Sequence, residues 1–415
     1  MAPRELGHDL RPLEQVRQVI LGLLEPLGAE ARPLAECYGA VLREEAVVTE
    51  LIPPFDNSAM DGFAVRVTDV ASASEASPVT LRVSGQIAAG EPGGLVLEPG
   101  SAQRIMTGAP LPSGAEAVIP HEVTRFNDRN VTFTRPARLG QNIRCAGGDL
   151  RPGDLVLKPG CVLRGPQLAI LAALGRDPVR VTRKLRVAVV SSGNELVEVG
   201  SPCGPGQIRN SNAYSLTGLL LSAGVEPVNL GIVRDTKEEV LRVIRRAVDA
   251  GLDAIVSTGG VSAGEYDWVQ VVVREHAEPG HVFKVAMRPG KPQVFGLFDG
   301  RPLFGLPGNP AASMISFEVF VRPALRRLRG EGVVLPELFG VRFPFDYPYK
   351  PGRVLLLRAR VEPDEPGGYR VVRPGEQDSS FLSSLAEANA IVTLPSDRDV
   401  VRAGEIHPAF WFAGL

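Results

Sequence analysis

A chain of 415 residues is too long for a single core and implies two to four domains. Its 44% hydrophobic and 22% charged content is that of a globular protein, and no apolar run approaches the roughly 18 residues that a membrane helix needs. A formal net charge of −2 leaves no global basic field for nucleic acid.

Four widely spaced cysteines, Cys37, Cys145, Cys161 and Cys203, form no CxxC pair. Neither a zinc site nor a disulfide scaffold is expected, which fits a reducing compartment. Met1–Leu6 contain no apolar signal core, and a cytoplasmic location is expected. The basic residues are almost all Arg. Of six lysines, Lys284 and Lys291 fall in one short segment with Arg288.

Leu13, Val16, Val19, Ile20, Leu23 and Leu24 lie on one face of an amphipathic helix over 11–25, which Pro26 closes. From about 50 to 145, short apolar runs broken by Gly and Pro predict a small β-rich domain. Residues 166–174 predict a helix, with Pro166 at its start and Gly175 beyond its end.

Alternation begins at 185. Strands are expected at 185–190, 228–232, 254–257, 282–286 and 293–297, and helices at 213–222, 237–248 and 311–328. This is the pattern of an open α/β sheet with right-handed crossovers, whose ligands sit at the carboxyl ends of the strands. Residues 335–415 return to short strands, as a compact β-barrel or sandwich.

The polar motifs follow strands. Thr258-Gly259-Gly260-Val261-Ser262-Ala263-Gly264-Glu265-Tyr266-Asp267 begins with paired glycines that suit positive φ and leave N–H groups free to cradle phosphate. It ends in two acids. Acids beside a phosphate cradle point to a divalent metal between them, although a tight turn with a solvated acidic tail accounts for the same residues. Ser191-Ser192-Gly193-Asn194-Glu195 offers hydroxyl donors and one carboxylate, or a simple Ser/Thr turn. Asp235 stands where it can N-cap the helix at 237 or face the sheet top. Pro307-Gly308-Asn309-Pro310 makes a rigid loop, either an anion site at a helix start or a connector. Lys284 and Arg288 share one face if the strand is continuous.

Segments 53–64 and 104–110 are dense in turn formers and acids and are not expected in a core. Gly147-Gly148-Asp149 lies before the α/β part. The histidines form no HExxH, and there is no P-loop.

In combination P-P-F-D-N-S-A-M-D-G, I-M-T-G-A-P, S-S-G-N-E-L, T-G-G-V-S-A-G-E-Y-D and G-L-P-G-N-P resemble, in this order and over roughly 11–410, the molybdopterin molybdenumtransferase family. This is the MoeA type, whose domain also ends the scaffold gephyrin. The resemblance implies a multidomain α/β and β fold. An N-terminal discontinuous helical/β linker domain would span 1–50 plus 140–182, and a small β-rich domain 51–139. An open α/β sheet of the molybdopterin-binding type would span 183–330, and a C-terminal β-barrel 335–415.

It also implies a reaction: molybdenum from molybdate enters adenylylated molybdopterin, with Mg²⁺, and AMP is released. By similarity Asp61, Thr107, Asp149 and Glu195 are catalytic. Glu195, Asp235 and Asp267 are metal ligands. Substrate contacts fall to Ser192, Gly193, Asp235, Gly259, Gly260, Ser262, Gly264, Lys284, Arg288, Pro307, Gly308, Asn309 and Pro310, with Arg358 and Ser383 reaching in from the barrel.

A homodimer is implied, with the cleft between one subunit's α/β domain and the other's small β domain. Molybdopterin adenylyltransferase and molybdoenzyme-maturation proteins are the expected partners. Three departures stand out: Asn194 where many members have Asp, Arg288 where Lys is frequent, and Phe63 where Tyr is frequent. The segment Gln377-Asp378-Ser379-Ser380 also differs from the usual Gly-Ser pattern.

Two other functions compete. An adenylyltransferase activating molybdopterin would need only the α/β part and would consume ATP. A non-catalytic pterin-binding scaffold would not need the acids at 61, 195, 235 and 267.

Overall fold

The structure, a computed structural model, describes residues 10–92, 95–261, 267–365, 367–374 and 377–412. The chain divides into two compact units, one of Met1–Glu44, Pro159–Leu168 and Asp177–Leu415, the other of Glu45–Lys158 and Ala169–Arg176. The predicted contacts at Ser262 and Gly264 lie outside the described residues, as does Glu265.

In the larger unit, α1 (Leu13–Gly22) buries Leu13, Val16 and Ile20, the expected stripe. It ends three residues earlier than expected, so Pro26 follows the helix rather than closing it.

The smaller unit is built on a six-stranded sheet. Its strands are β1 (Gly62–Val65), β2 (Val79–Ile87), β3 (Ser101–Ile105), β4 (Ala117–Pro120), β5 (Thr124–Phe126) and β6 (Asn130–Phe133), ordered β4-β1-β3-β2-β6-β5. All four residues of β1 are buried. Phe63 and Val65 pack on one face, Ala64 with Ile105 on the other. The expectation that 53–64 and 104–110 stay out of the core is therefore corrected. Each segment ends or begins in a strand too short to reveal its period of two.

Helix α2 (Gly165–Ala173) passes from one unit into the other.

The α/β part opens with β7 (Arg186–Ser192) and α3 (Ser211–Ser222), then β8 (Glu226–Val233) and α4 (Lys237–Asp249). Next come β9 (Ala254–Thr258), α5 (Trp268–His276), β10 (Gly280–Lys284), the two-residue β11 (Met287–Arg288), β12 (Pro292–Phe298) and β13 (Arg301–Leu306). The sheet order is β8-β7-β9-β13-β12-β10. Strands β8, β7, β9 and β13 are parallel, whereas β12 and β10 run antiparallel to their neighbours.

Strands β7 and β9 are almost wholly buried because both sheet faces are covered. Val187, Val189 and Val256 pack among residues of α1 and α3 on one side. Ala188, Val190 and Ile255 pack among residues of α4 and α5 on the other.

Strand β13 was not expected. Pro302 hid it, yet its ring sits in the antiparallel register opposite Leu297. The final helix is α6 (Pro310–Ser316), a π-helical turn over Phe317–Val321, and α7 (Arg322–Arg329), which Gly330 stops in the left-handed conformation.

The C-terminal strands β14 (Phe339–Arg342), β15 (Val354–Pro363), β16 (Tyr369–Pro374), β17 (Ala390–Leu394) and β18 (Ile406–Trp411) pair as β15-β16-β14-β18-β17. Strand β17 pairs back onto β15, closing a five-stranded barrel, so the sandwich alternative falls. The short helix α8 (Ser383–Glu387) lies between β16 and β17. Strand β11 adds to the barrel through β15, not to the α/β sheet.

Candidate active site

The carboxyl ends of β7, β8, β9 and β13 open onto a cavity of about 1150 Å³. That is slightly above the ordinary range of small-molecule sites.

Ser192 ends β7 and is buried, and its Oγ donates to Asp235 Oδ1 at 2.5 Å. The backbone N of Asn194 donates to Asp235 Oδ2 at 3.2 Å. Asp235 is thereby fixed across two loops. It is not the helix cap: Thr236 caps α4, its Oγ1 accepting from the Glu239 N–H at 3.3 Å. The β-region backbone of Thr236 makes it the true N-cap and leaves Asp235 to face the cavity. Glu195 folds back over Gly193, where an added Cβ would stand 2.7 Å from its carboxylate.

Gly259 and Gly260 directly follow β9 at φ +89° and +65°. A Cβ on Gly259 would lie 2.2 Å from the Ser192 carbonyl oxygen, so only glycine lets these two strand ends meet. Asp267 begins α5 and lines the same cavity.

Opposite, Pro307, Gly308, Asn309 and Pro310 connect β13 to α6. Asn212, at the start of α3, donates from Nδ2 to the Gly308 carbonyl at 2.7 Å and to Thr258 Oγ1 at 2.8 Å.

The cations follow a different plan from the expected one. Arg288, Lys291 and Arg353 line the cavity, whereas Lys284 does not. Strand β10 ends at Lys284, which is exposed, and Arg288 belongs to β11 in another sheet. Lys284 and Arg288 do not share a strand face, because the chain changes sheets between them. Burial and then repulsion from Arg288 hold the Arg353 guanidinium below its ordinary range.

Sequence reasoning missed Arg353, Arg209 and Asn212. A polar run, Asn210-Ser211-Asn212, opening a helix could have signalled the last. Arg353 carried no signal, since it lies between motifs.

The barrel contributes Gln377, Asp378, Ser379, Ser380 and Leu382 to the lining. Neither Arg358, which is fully buried, nor Ser383, which is exposed, lines the cavity.

Glu195, Asp235 and Asp267 thus share one cavity with Ser192, Gly193, Gly259, Gly260 and the Pro307–Pro310 loop. Among the described residues no three His, Cys, Asp or Glu side chains gather as a metal cluster. Magnesium does not require one, since it is usually held by one or two carboxylates together with substrate phosphates. The oxygen-only donors here fit that mode.

Within the smaller unit, Asp61 and Thr107 meet at the ends of β1 and β3. Asp61 Oδ1 accepts from both the N–H and the Oγ1 of Thr107, each at 2.7 Å. These two bonds, the backbone one first, hold the Asp61 carboxyl below the usual carboxylate range, with smaller help from His121 and Arg104. His121 is bonded to the Asp61 carbonyl through Nδ1 at 3.2 Å. Asp149, in the same unit, is exposed, and its N–H donates to the Ile52 carbonyl at 3.0 Å.

Three family descriptions match this chain. The MoeA N-terminal region (domain I and II) matches residues 11–175, the probable molybdopterin binding domain 188–327, and the MoeA C-terminal region (domain IV) 341–407. Molybdopterin molybdenumtransferase 2 of Mycobacterium tuberculosis is 36% identical over 414 residues, covering 95% of this chain and 98% of that protein. The molybdopterin molybdenumtransferase of Haemophilus influenzae is 35% identical over 396 residues, 95% of this chain and 96% of that protein. A crystal structure of a molybdopterin biosynthesis moeA protein from Pyrococcus horikoshii superposes with a TM-score of 0.81 at 29% identity, covering 97% of this chain and all 100% of that one.

Proposed function

The chain belongs to the molybdopterin molybdenumtransferase family, a family of transferases in molybdenum cofactor biosynthesis, and from that premise we propose that it inserts molybdenum from molybdate into adenylylated molybdopterin with release of AMP. The observation that carries this reading is the composition of the cavity. Acids, a glycine turn and cations converge on one space large enough for a pterin joined to a nucleotide.

In this reading Arg288, Lys291 and Arg353 attract the anionic groups of the substrate, the phosphates and the molybdate dianion. The Gly259–Gly260 turn and the Pro307–Pro310 loop bring backbone close to the ligand. One or two of Glu195, Asp235 and Asp267 would hold Mg²⁺ together with the substrate phosphates. When bound there, the ion would supply positive charge against the phosphoanhydride. Asp235 is held in place by Ser192 and Asn194 before any cation arrives, so little ordering remains to be done on binding. Asp61, kept ionised by Thr107, is the acid we assign to the chemistry in the smaller unit. Asp149 is assigned beside it on family resemblance alone. We further read the protein as a homodimer in the cytoplasm, receiving its substrate from an adenylyltransferase and passing product to enzymes that mature molybdoenzymes. No described helix is long and apolar enough to cross a membrane.

The test is AMP release from adenylylated molybdopterin by the purified protein with Mg²⁺, with and without molybdate. Molybdate-dependent release that yields active cofactor supports the reading. Tight binding without release overturns it in favour of a scaffold, and ATP consumption with free molybdopterin overturns it in favour of adenylylation.

A further inference from the structure

The barrel meets the cavity through a relay that begins at a buried cation. Arg358 lies on β15 with no exposed surface. A guanidinium in such a place is costly unless its donors are met. Its Nε donates to Ser384 Oγ at 3.1 Å and its Nη2 to the Asp378 carbonyl at 2.9 Å. Its backbone exchanges bonds with Gln377, whose Oε1 accepts from the Arg358 N–H at 3.2 Å and whose Nε2 donates to the Arg358 carbonyl at 3.1 Å. The segment entering the cavity is thus fastened from beneath at two successive residues.

The next links face the site. The Asp378 carboxylate accepts from the N–H and Oγ of Ser380 at 2.9 and 2.6 Å, which closes a tight polar turn. Asn309 donates from Nδ2 to Ser379 Oγ at 2.9 Å, and Ala311 donates its N–H to the Ser379 carbonyl at 3.1 Å. On its other side the same loop is held by Asn212 through the Gly308 carbonyl. The loop Pro307–Pro310 is therefore clamped between α3 and the barrel, with two prolines removing most of its remaining freedom.

We propose that Arg358 is a positioning residue and not a substrate ligand: it locks the barrel segment 377–380, and Ser379 of that segment fixes Asn309 in the conformation that meets the substrate. The proposal rests on the reading of the cavity as the substrate site. It gives the barrel a task in the reaction, to complete the clamp on one loop. It also gives a structural task to a buried arginine that does not line the cavity.

The test is a double-mutant cycle on Ser379 and Asn309, read by steady-state AMP release and by amide hydrogen exchange. Ser379→Ala is expected to raise KM for the adenylylated pterin by about three- to tenfold, the usual scale for one hydrogen bond. Its kcat should change by less than about twofold, because loop placement acts mainly on binding. Exchange over 306–311 should quicken with no change in melting temperature. Asn309→Ala, which also loses the substrate contact, should raise KM at least as far, and the double variant should be no worse than Asn309→Ala alone.

Arg358→Lys keeps the charge but loses the planar fork, so it should reproduce the KM rise and quicken exchange at Ser380. Wild-type KM and wild-type exchange in Ser379→Ala, or fully additive effects, would overturn the proposal. If Arg358→Lys does not fold, Ser384→Ala, which removes the acceptor of the Arg358 Nε, takes its place, and wild-type exchange at Ser380 in that variant would overturn the role of Arg358. A wild-type protein that releases no AMP sinks the functional reading, whereas the exchange measurement still judges the clamp.

Discussion

Asn194 and Asp235 exchange hydrogen bonds across the sheet top. The Asn194 N–H donates to Asp235 Oδ2 at 3.2 Å, and the Asp235 N–H donates to Asn194 Oδ1 at 3.3 Å. The amide is a neutral acceptor in this exchange, beside a carboxylate that we propose as a ligand for Mg²⁺.

Replacing Asn194 by Asp keeps an oxygen acceptor for the Asp235 N–H and adds a second negative charge. Divalent-cation affinity follows the charge of the ligand set. Asn194→Asp is expected to tighten Mg²⁺ binding by about three- to thirtyfold, measured by calorimetry on the purified protein. Unchanged affinity would place the cation away from Asp235.

The doubly bonded Asp61 oxygen gives a pH prediction. Its carboxyl titrates below the usual carboxylate value because both Thr107 donors favour the charged form. A depressed folded-state value means that the charge is present above the ordinary range and is lost only as pH falls through the lowered value. Thr107→Val removes the hydroxyl donor but keeps the N–H, so the Asp61 pKa should move up toward the ordinary carboxylate range. The acid limb of the rate profile should move up with it, and a carboxyl-carbon NMR titration of Asp61 reads the shift directly. Asp61→Asn should lower kcat by on the order of a hundredfold or more while substrate still binds. Full activity in that variant would remove Asp61 from the chemistry.

Much of this arrangement was legible because glycines, prolines and acids after apolar runs mark sheet-top loops in any α/β domain. Thr258–Gly260 could be read because the positive φ of two successive residues is itself a sequence-level requirement. Arg353 and the Ser379–Asn309 contact were not legible, since they depend on where a distant barrel packs. Lys284 and Arg288 misled for the opposite reason. A local rule of period two was applied across a point where the chain leaves one sheet for another. Strand β13 was hidden by a proline, and β1 by its shortness and its polar neighbours.

The π-helical turn before α7 and the first residue of α7 hold a buried ion pair whose removal should be costly. Arg322 Nε donates to Glu318 Oε2 at 2.6 Å and Nη2 to Oε1 at 2.8 Å, with a third bond to Ser222 Oγ at 3.0 Å. Both side chains are under a tenth exposed. Glu318→Ala strands the guanidinium in the core and should cost about 3–5 kcal/mol, whereas replacing both with apolar residues should cost far less. Because a chain of two units need not melt in one step, the check is the rank order of thermal midpoints. Glu318→Ala should lie well below the Glu318→Leu/Arg322→Met pair. The reverse order would mean that the pair contributes net stability rather than satisfying itself.

His281 predicts how the larger unit responds to acid. Its ring stacks on Phe283 at 5.3 Å and 15° and faces Phe295 at 6.4 Å and 18°. Burial in this stack, and then the charge of Arg11, hold its pKa below the ordinary histidine value. The unfolded chain therefore binds a proton more readily than the folded one. Stability from the neutral ring is complete above the unfolded value of about 6.5 and is lost as pH falls through the lower folded value. The thermal midpoint should decline on acidification from roughly pH 7 to pH 5. His281→Phe keeps the aromatic stack and cannot titrate, so its midpoint should fall less over that interval. Differential scanning calorimetry at several pH values gives the comparison. Parallel curves for the two proteins would show that the acid sensitivity of this unit lies elsewhere.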